Sequence, residues 1–78
     1  MLPEYAEVRI VRLLRPIEDY DGWGCNQRPP QVGDTGTIVD ILHVPALPTR
    51  YIVEKSAADG SDIWLSDFQA DELEVVLP

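Results

Sequence analysis

The chain has 78 residues and a formal net charge of −8, from 14 acidic and 6 basic side chains. A chain of this length forms one domain and buries only about 60% of the surface that its unfolded form exposes, which leaves little room for a deep active-site cavity. The negative charge disfavours DNA, RNA and acidic membranes, whose binding depends on Lys and Arg; it favours a basic protein surface, or it serves solubility alone.

The first apolar run, Val8–Leu14, predicts a strand that ends before Arg15 and Pro16, because proline removes a hydrogen-bond donor. Its apolar residues change parity after Ile10, which indicates either a bulge or a strand covered on both faces. The next segment, Ile17–Val32, has neither helical nor strand periodicity. We predict a long loop there, and loops of this length are usually functional or mobile.

The rest of the chain predicts four more short strands. Prolines break the chain between the second and third strands, and Asp59-Gly60 predicts a hairpin turn between the third and fourth. Gln69–Glu72 fits a single helical turn before the last strand. The predicted strands are Thr35–Val44, Arg50–Ser56, Ile63–Phe68 and Leu73–Leu77.

These elements define the predicted fold. The sequence lacks an amphipathic helix long enough to cover a sheet, so five short strands must curl on themselves to hide their edges and apolar faces. We therefore predict an all-β fold, a small five-stranded Src-homology-3-like barrel that spans residues 1–78 as a single domain. It has a long first loop and a single short helical turn before the last strand.

The segment Gly33–Gly36 (GDTG) either cradles a phosphate or turns the chain. A phosphate-binding loop requires a lysine and a following helix, and here a Thr-Ile-Val run follows instead. The dinucleotide-binding pattern fails in its spacing and in the missing βαβ unit. We interpret the segment as a turn in which Gly33 adopts positive φ, Asp34 caps the turn, and Gly36 permits a bulge or a close backbone contact.

Three segments, Gly33–Val39, Tyr51–Glu54 and Ala70–Val76, resemble in this order the small bacterial family called domain of unknown function 4926. The resemblance spans most of the chain and rests on turn and strand motifs. It therefore implies a fold, and it brings no reaction and no catalytic residues.

The chain departs from that family in its longer Asp21–Pro30 loop and in its proline-rich His43–Thr49 connection. Because of these departures, the resemblance does not indicate which partner the protein binds. A weaker likeness to the small stromal subunit of photosystem I, through Val11–Pro16 and Gly36–Val39, concerns the fold alone.

Candidate catalytic and metal sites find little support in the sequence. Cys25 and His43 could form a thiolate–imidazole pair, but no oxyanion element or known signature surrounds Cys25, so a bystander thiol is the better interpretation. One Cys and one His cannot complete a closed zinc site, and Pro30 stands where a calcium loop starting at Asp19 needs its last acid. We expect no metal, no cofactor and no enzymatic activity.

The long loop contains the strongest candidate binding residues. Its acids and aromatic rings have the chemistry with which barrels of this type bind Arg-containing, proline-rich peptides. The helical turn Gln69–Glu72, however, lacks the Pro and Tyr that complete such a groove. Trp64 either packs in the core or lies beside the loop. The predicted binding residues are Glu18, Asp19, Tyr20, Asp21, Trp23 and Trp64.

The leading functional prediction is a non-enzymatic interaction module that binds a protein with a basic surface through this acidic and aromatic face. We expect it to be cytoplasmic, because a single cysteine fits a reducing compartment and the sequence has neither a leader nor a run of about 18 apolar residues. We expect no nucleic acid and no membrane as partner. Unpaired barrel edges would permit a homodimer.

Three alternatives remain open. The first is an immunity or antitoxin-like inhibitor that masks a basic toxin, which small size and acidity favour. The second is an enzyme that uses Cys25 and His43. The third is nucleic-acid binding through Arg9, Arg12 and Arg15, against which the 14 acidic residues weigh.

Overall fold

The computed structural model describes residues 1–76 as one antiparallel sheet with two short 3₁₀ helices. The first 3₁₀ helix is Ile17–Tyr20 and the second is Ala70–Glu72. The strands are β1 (Glu7–Ile10), β2 (Thr35–Leu42), β3 (Arg50–Ser56), β4 (Asp62–Phe68) and β5 (Leu73–Val75). Their order in the sheet is β4-β3-β2-β1-β5, so the last strand returns to lie beside the first. No helix in the described residues is long and apolar enough to cross a membrane.

The predicted all-β fold is confirmed, with its five strands, its long first loop and its helical turn before the last strand. The predicted barrel does not close, because β4 and β5 are the two edges of the sheet and do not pair within residues 1–76. β3 has the predicted bounds, whereas β1 and β2 end earlier, at Ile10 and Leu42. The predicted end of the fifth strand, Leu77, lies outside the described residues.

The early end of β1 explains the parity change in the first apolar run. Val8 and Ile10 are buried and alternate with exposed neighbours, as expected for a strand with one covered face. Beyond them, the backbone amides of Leu14 and Arg15 donate to the Tyr20 hydroxyl at 3.1 and 3.2 Å. The run contains neither the predicted bulge nor a strand covered on both faces, since the chain leaves the sheet.

Aromatic side chains fill the core. The rings of Tyr20 and Phe68 lie 5.4 Å apart, and those of Trp64 and Phe68 lie 5.7 Å apart in an edge-to-face arrangement. Such pairs bury a large apolar area and add directional ring contacts. The buried cluster is completed by aliphatic residues of the strands and by Tyr51; its members are Val8, Ile10, Tyr20, Ile38, Tyr51, Val53, Trp64, Phe68 and Leu73.

The GDTG segment is a turn, as predicted. Gly33 has a φ of 97°, a conformation that favours glycine. The Asp34 carboxylate accepts the backbone N–H of Gln31 at 3.1 Å and so caps the turn. At Gly36, a Cβ atom would lie 2.7 Å from the Glu54 carbonyl oxygen, so the glycine permits a close approach of β2 to β3.

Candidate functional site

The predicted binding residues divide into two groups. Tyr20 and Trp64 are fully buried, each with 0% of its surface exposed. They therefore offer no contact area to a partner, and the predicted binding face must be corrected to exclude both rings. Trp23 is 49% exposed, and the acidic members of the set, Glu18, Asp19 and Asp21, are exposed as well.

Tyr20 fastens the start of the long loop to the domain. Its hydroxyl accepts the amides of Leu14 and Arg15 and donates to the Glu72 carboxylate. Burial raises the pKa of Tyr20, and the hydrogen bond to Glu72 raises it further, against smaller opposing effects of the two amides. The hydroxyl thus stays protonated at neutral pH and remains a donor to Glu72.

Glu72 is the buried acceptor at the other end of this contact, with 0% of its surface exposed. Its carboxylate also accepts the backbone N–H of Leu14 at 3.1 Å and that of Gln69 at 2.9 Å. The Gln69-to-Glu72 spacing forms a capping box for the second 3₁₀ helix. The sequence predicted this helical turn but not the burial of the Glu72 carboxylate. The spacing of Gln69 and Glu72 was the only local signal that could have indicated it.

The loop then runs along the outer edge of β4 and covers it. The Gln27 N–H donates to the Ile63 carbonyl at 2.8 Å, and the Asn26 Oδ1 accepts the Leu65 N–H at 2.9 Å. The Ser66 hydroxyl donates to the Tyr20 carbonyl. Because the bonds to Ile63 and Leu65 satisfy backbone groups of β4 that a neighbouring strand would otherwise pair, the loop protects the edge from association.

Between these fastenings lies a short projecting segment, Asp21–Cys25, which we call the loop tip. The Gly24 N–H donates to the Asp21 carbonyl at 3.1 Å, and this bond closes a β-turn with Trp23 at its third position. The Asp21 carboxylate also accepts the Asn26 N–H at 3.2 Å. The loop tip is therefore a defined turn that presents the half-exposed Trp23.

The acids around the loop tip carry uncompensated charge. The ion pairs found in residues 1–76 join Arg9 to Glu74, Arg15 and Arg50 to Asp67, and Arg28 to Asp34. None of these pairs uses the three acids of the predicted site, Glu18, Asp19 and Asp21. Their negative charges thus face solvent and can attract a basic surface.

Asp34 links the GDTG turn to the core, a role that sequence reasoning did not find. Its carboxylate accepts two hydrogen bonds from Arg28, at 2.7 and 3.1 Å, and one from the Trp64 indole N–H at 3.0 Å. Burial acts to raise the pKa of Asp34, but the bonds from Arg28, Trp64 and the Gln31 amide outweigh it, and the pKa lies below its usual value of 3.8. The indole contact also explains why Trp64 is held inside the domain.

The candidate catalytic pair is not assembled as a dyad in the described chain. The His43 Nδ1 lies 3.0 Å from the Thr49 hydroxyl, and Cys25 is an exposed free thiol that shares no hydrogen bond with His43 among those of residues 1–76. The same residues contain no group of three or more His, Cys, Asp and Glu side chains placed to hold a metal ion. The loop tip and its acids are therefore the site that the geometry best supports.

Comparisons with known proteins do not add to this description. Against protein-family models, curated proteins and solved structures, the chain has no match. The resemblance to domain of unknown function 4926 stays a prediction. The chemistry of the site must carry any statement about function.

Proposed function

We propose that this protein is a non-enzymatic interaction module that binds the basic surface of a partner protein through the loop tip. The observation that carries the proposal is the position of Trp23, which is 49% exposed on a hydrogen-bonded turn. Exposed acids precede it, and none of them has an ion-pair partner in the part of the chain that is described.

Apolar contact area at this face would supply most of the affinity. Tryptophan is among the residues that most often dominate the free energy of protein–protein binding. Ile17, at the start of the first 3₁₀ helix, is 45% exposed and adds apolar surface in the same loop. Because Tyr20 and Asn26 fasten both ends of the turn, little conformational entropy is lost when a partner binds.

The acids contribute mainly to the rate and the specificity of association. Glu18, Asp19 and Asp21 stand within one short segment of a chain whose net charge is −8. Complementary charges speed the diffusional encounter and repel acidic competitors, whereas exposed pairs add little to affinity. A partner with Arg or Lys residues around an apolar pocket would match this face.

The test compares two variants of the face. The partner is first isolated by affinity purification with the tagged protein, and the affinity and association rate are then measured with purified components. We expect Trp23→Ala to weaken binding by about 30-fold or more, as for a hot-spot tryptophan. We expect Asp19→Lys chiefly to slow association and to reduce its dependence on salt.

Matched controls come from other exposed positions of the chain. Leu47 is 62% exposed in the connection between β2 and β3, and Glu4 is an exposed acid near the start of the chain. Leu47→Ala and Glu4→Lys should leave the affinity within about twofold, since most interface truncations cost little. Equal binding by the wild type and both face variants would remove the loop tip as the binding site.

A further inference from the structure

Two arginines converge on one aspartate at the end of β4. The Arg15 Nη2 lies 3.6 Å from the Asp67 Oδ1, and the Arg50 Nε lies 3.6 Å from the Asp67 Oδ2. These separations allow electrostatic attraction but are too long for hydrogen bonds. Two positive charges and one negative charge leave this cluster with a net charge of +1, inside a protein whose total charge is −8.

Arg15 is held rigidly in this cluster. Its guanidinium lies 4.3 Å from the centre of the Tyr20 ring, in a cation–π contact. It also donates to the backbone carbonyl of Asp67, and more weakly to that of Asp19 at 3.5 Å. Its Nε is buried and has no hydrogen-bond partner among residues 1–76.

Arg50 is paired with Asp67 by charge alone. None of the side-chain hydrogen bonds formed by the described residues uses its guanidinium, and its Nη1 is buried without a partner in that same part of the chain. An arginine buried in this way normally satisfies its donors, because an unpaired donor costs free energy. Although the two unpaired nitrogens, the Arg15 Nε and the Arg50 Nη1, are themselves buried, the side chains of Arg15, Arg50 and Asp67 are each part-exposed, at 21%, 32% and 23%.

We propose that Arg15 and Arg50, with Asp67 between them, form a binding site for a carboxylate. The planar guanidinium donors match the two oxygens of a carboxylate. One carboxylate also neutralises the cluster's charge of +1, whereas a phosphate group, with a charge of about −1.5 to −2 at pH 7, would leave it negative. The site goes beyond the proposed function, since it accepts an acidic group rather than a basic one.

The direct test follows the arginine side chains by NMR. Acetate is added to the ¹⁵N-labelled protein at constant ionic strength, with chloride as the replaced anion. We expect saturable shifts of the Nε–H signals of Arg50 and Arg15. Arg9, which is paired with Glu74 at the sheet surface, should not shift, and equal shifts at all three arginines would overturn the proposal as general charge screening.

Two variants sharpen this test. Arg50→Gln should weaken acetate binding by about tenfold or more, because it removes a charged donor. Asp67→Asn should strengthen acetate binding and should allow phosphate to bind as well, because it removes the competing internal carboxylate. If folded Asp67→Asn protein bound acetate no better than the wild type, the site would be a structural cluster only and the proposal would fail.

The source of the carboxylate is decided by a second probe. A blocked tripeptide with a single central aspartate should bind more tightly than acetate if the natural ligand is an acidic side chain of a protein. Equal affinity of the two probes would show that the site recognises the carboxylate alone, as a site for a small organic acid does, and would contradict recognition of a protein's acidic side chain. Neither assay contains the protein partner, so Trp23→Ala should leave both results unchanged, and a failure here is distinguishable from a failure of the proposed function.

Discussion

Glu72 shows how a single side chain holds this small domain together. Its fully buried carboxylate receives donors from Tyr20, from the Leu14 amide and from the Gln69 amide. A buried carboxylate without such donors would be strongly destabilising. The same contacts join the end of the first apolar run and the start of the long loop to the second 3₁₀ helix, whose Glu72 lies 52 residues after Tyr20 in the sequence.

Removing the Tyr20 hydroxyl tests this arrangement. In Tyr20→Phe, the Glu72 carboxylate loses one donor and the Arg15 amide loses its acceptor, whereas the Leu14 amide still donates to Glu72. We expect the free energy of unfolding to fall by about 1–3 kcal/mol, the cost of leaving buried polar groups unpaired. Urea denaturation measures the change. Tyr5, which is 72% exposed, provides the control, and an equal loss in Tyr5→Phe would contradict the assignment.

The Asp34 carboxylate makes stability depend on pH. Its pKa in the folded state lies below its usual value of 3.8, so folding favours the ionised form. The resulting stabilisation is complete above the unfolded pKa and is lost as the pH falls towards the folded pKa. Asp34→Asn should therefore be less stable than the wild type at neutral pH and should lose less stability on acidification.

Urea denaturation at several values between about pH 6 and pH 2.5 measures this difference in slope. Asp59 is the matched control, because hydrogen bonds from Ser61 lower its pKa as well while its carboxylate is fully exposed. We expect Asp59→Asn to change the slope less than Asp34→Asn does. Parallel curves for the wild type and Asp34→Asn would show that the Arg28 and Trp64 contacts do not stabilise the charged form.

At the level of elements, β2 and β3 approach each other most closely at Gly36. An added Cβ atom would lie 2.7 Å from the Glu54 carbonyl oxygen and 2.8 Å from a Val53 methyl group. We expect Gly36→Ala to lower the free energy of unfolding by about 1–3 kcal/mol through this overpacking. Gly22→Ala is the control in the same denaturation assay, since its Cβ would meet no atom within 4 Å. Equal stability of both variants would refute the steric argument.

Elements fixed by neighbouring residues were predictable from the sequence. The bounds of β3, the Asp59-Gly60 turn and the GDTG turn follow from local alternation and turn chemistry. The end of β1 was not predictable, because directly after Ile10 the Val11 amide donates to the carbonyl of Glu72, a residue far away in the sequence. In the same way, the burial of Tyr20 depends on Glu72, 52 residues away in the sequence, and no local pattern reports such a contact.

At the scale of the whole molecule, the two edges of the sheet are protected in different ways. The long loop covers β4, and β5 is only three residues long. A short edge strand offers few unpaired backbone groups to other chains. The edges are therefore protected although β4 and β5 do not pair. The long loop, which has neither helical nor strand periodicity, covers the edge of β4. The exposed Trp23 was the one member of the predicted aromatic set that the fold leaves at the surface.

The hydrogen bonds of the long loop at Tyr20 and Asn26 also separate the loop tip from the contacts that hold the fold together. Every bond that seals β4 is made by residues on either side of the segment from Gly22 to Cys25. Apart from Gly24, whose φ of 68° favours glycine, this segment can thus accept substitutions while the sheet beneath it stays intact. It is the natural place on this domain to introduce a randomised library of sequences.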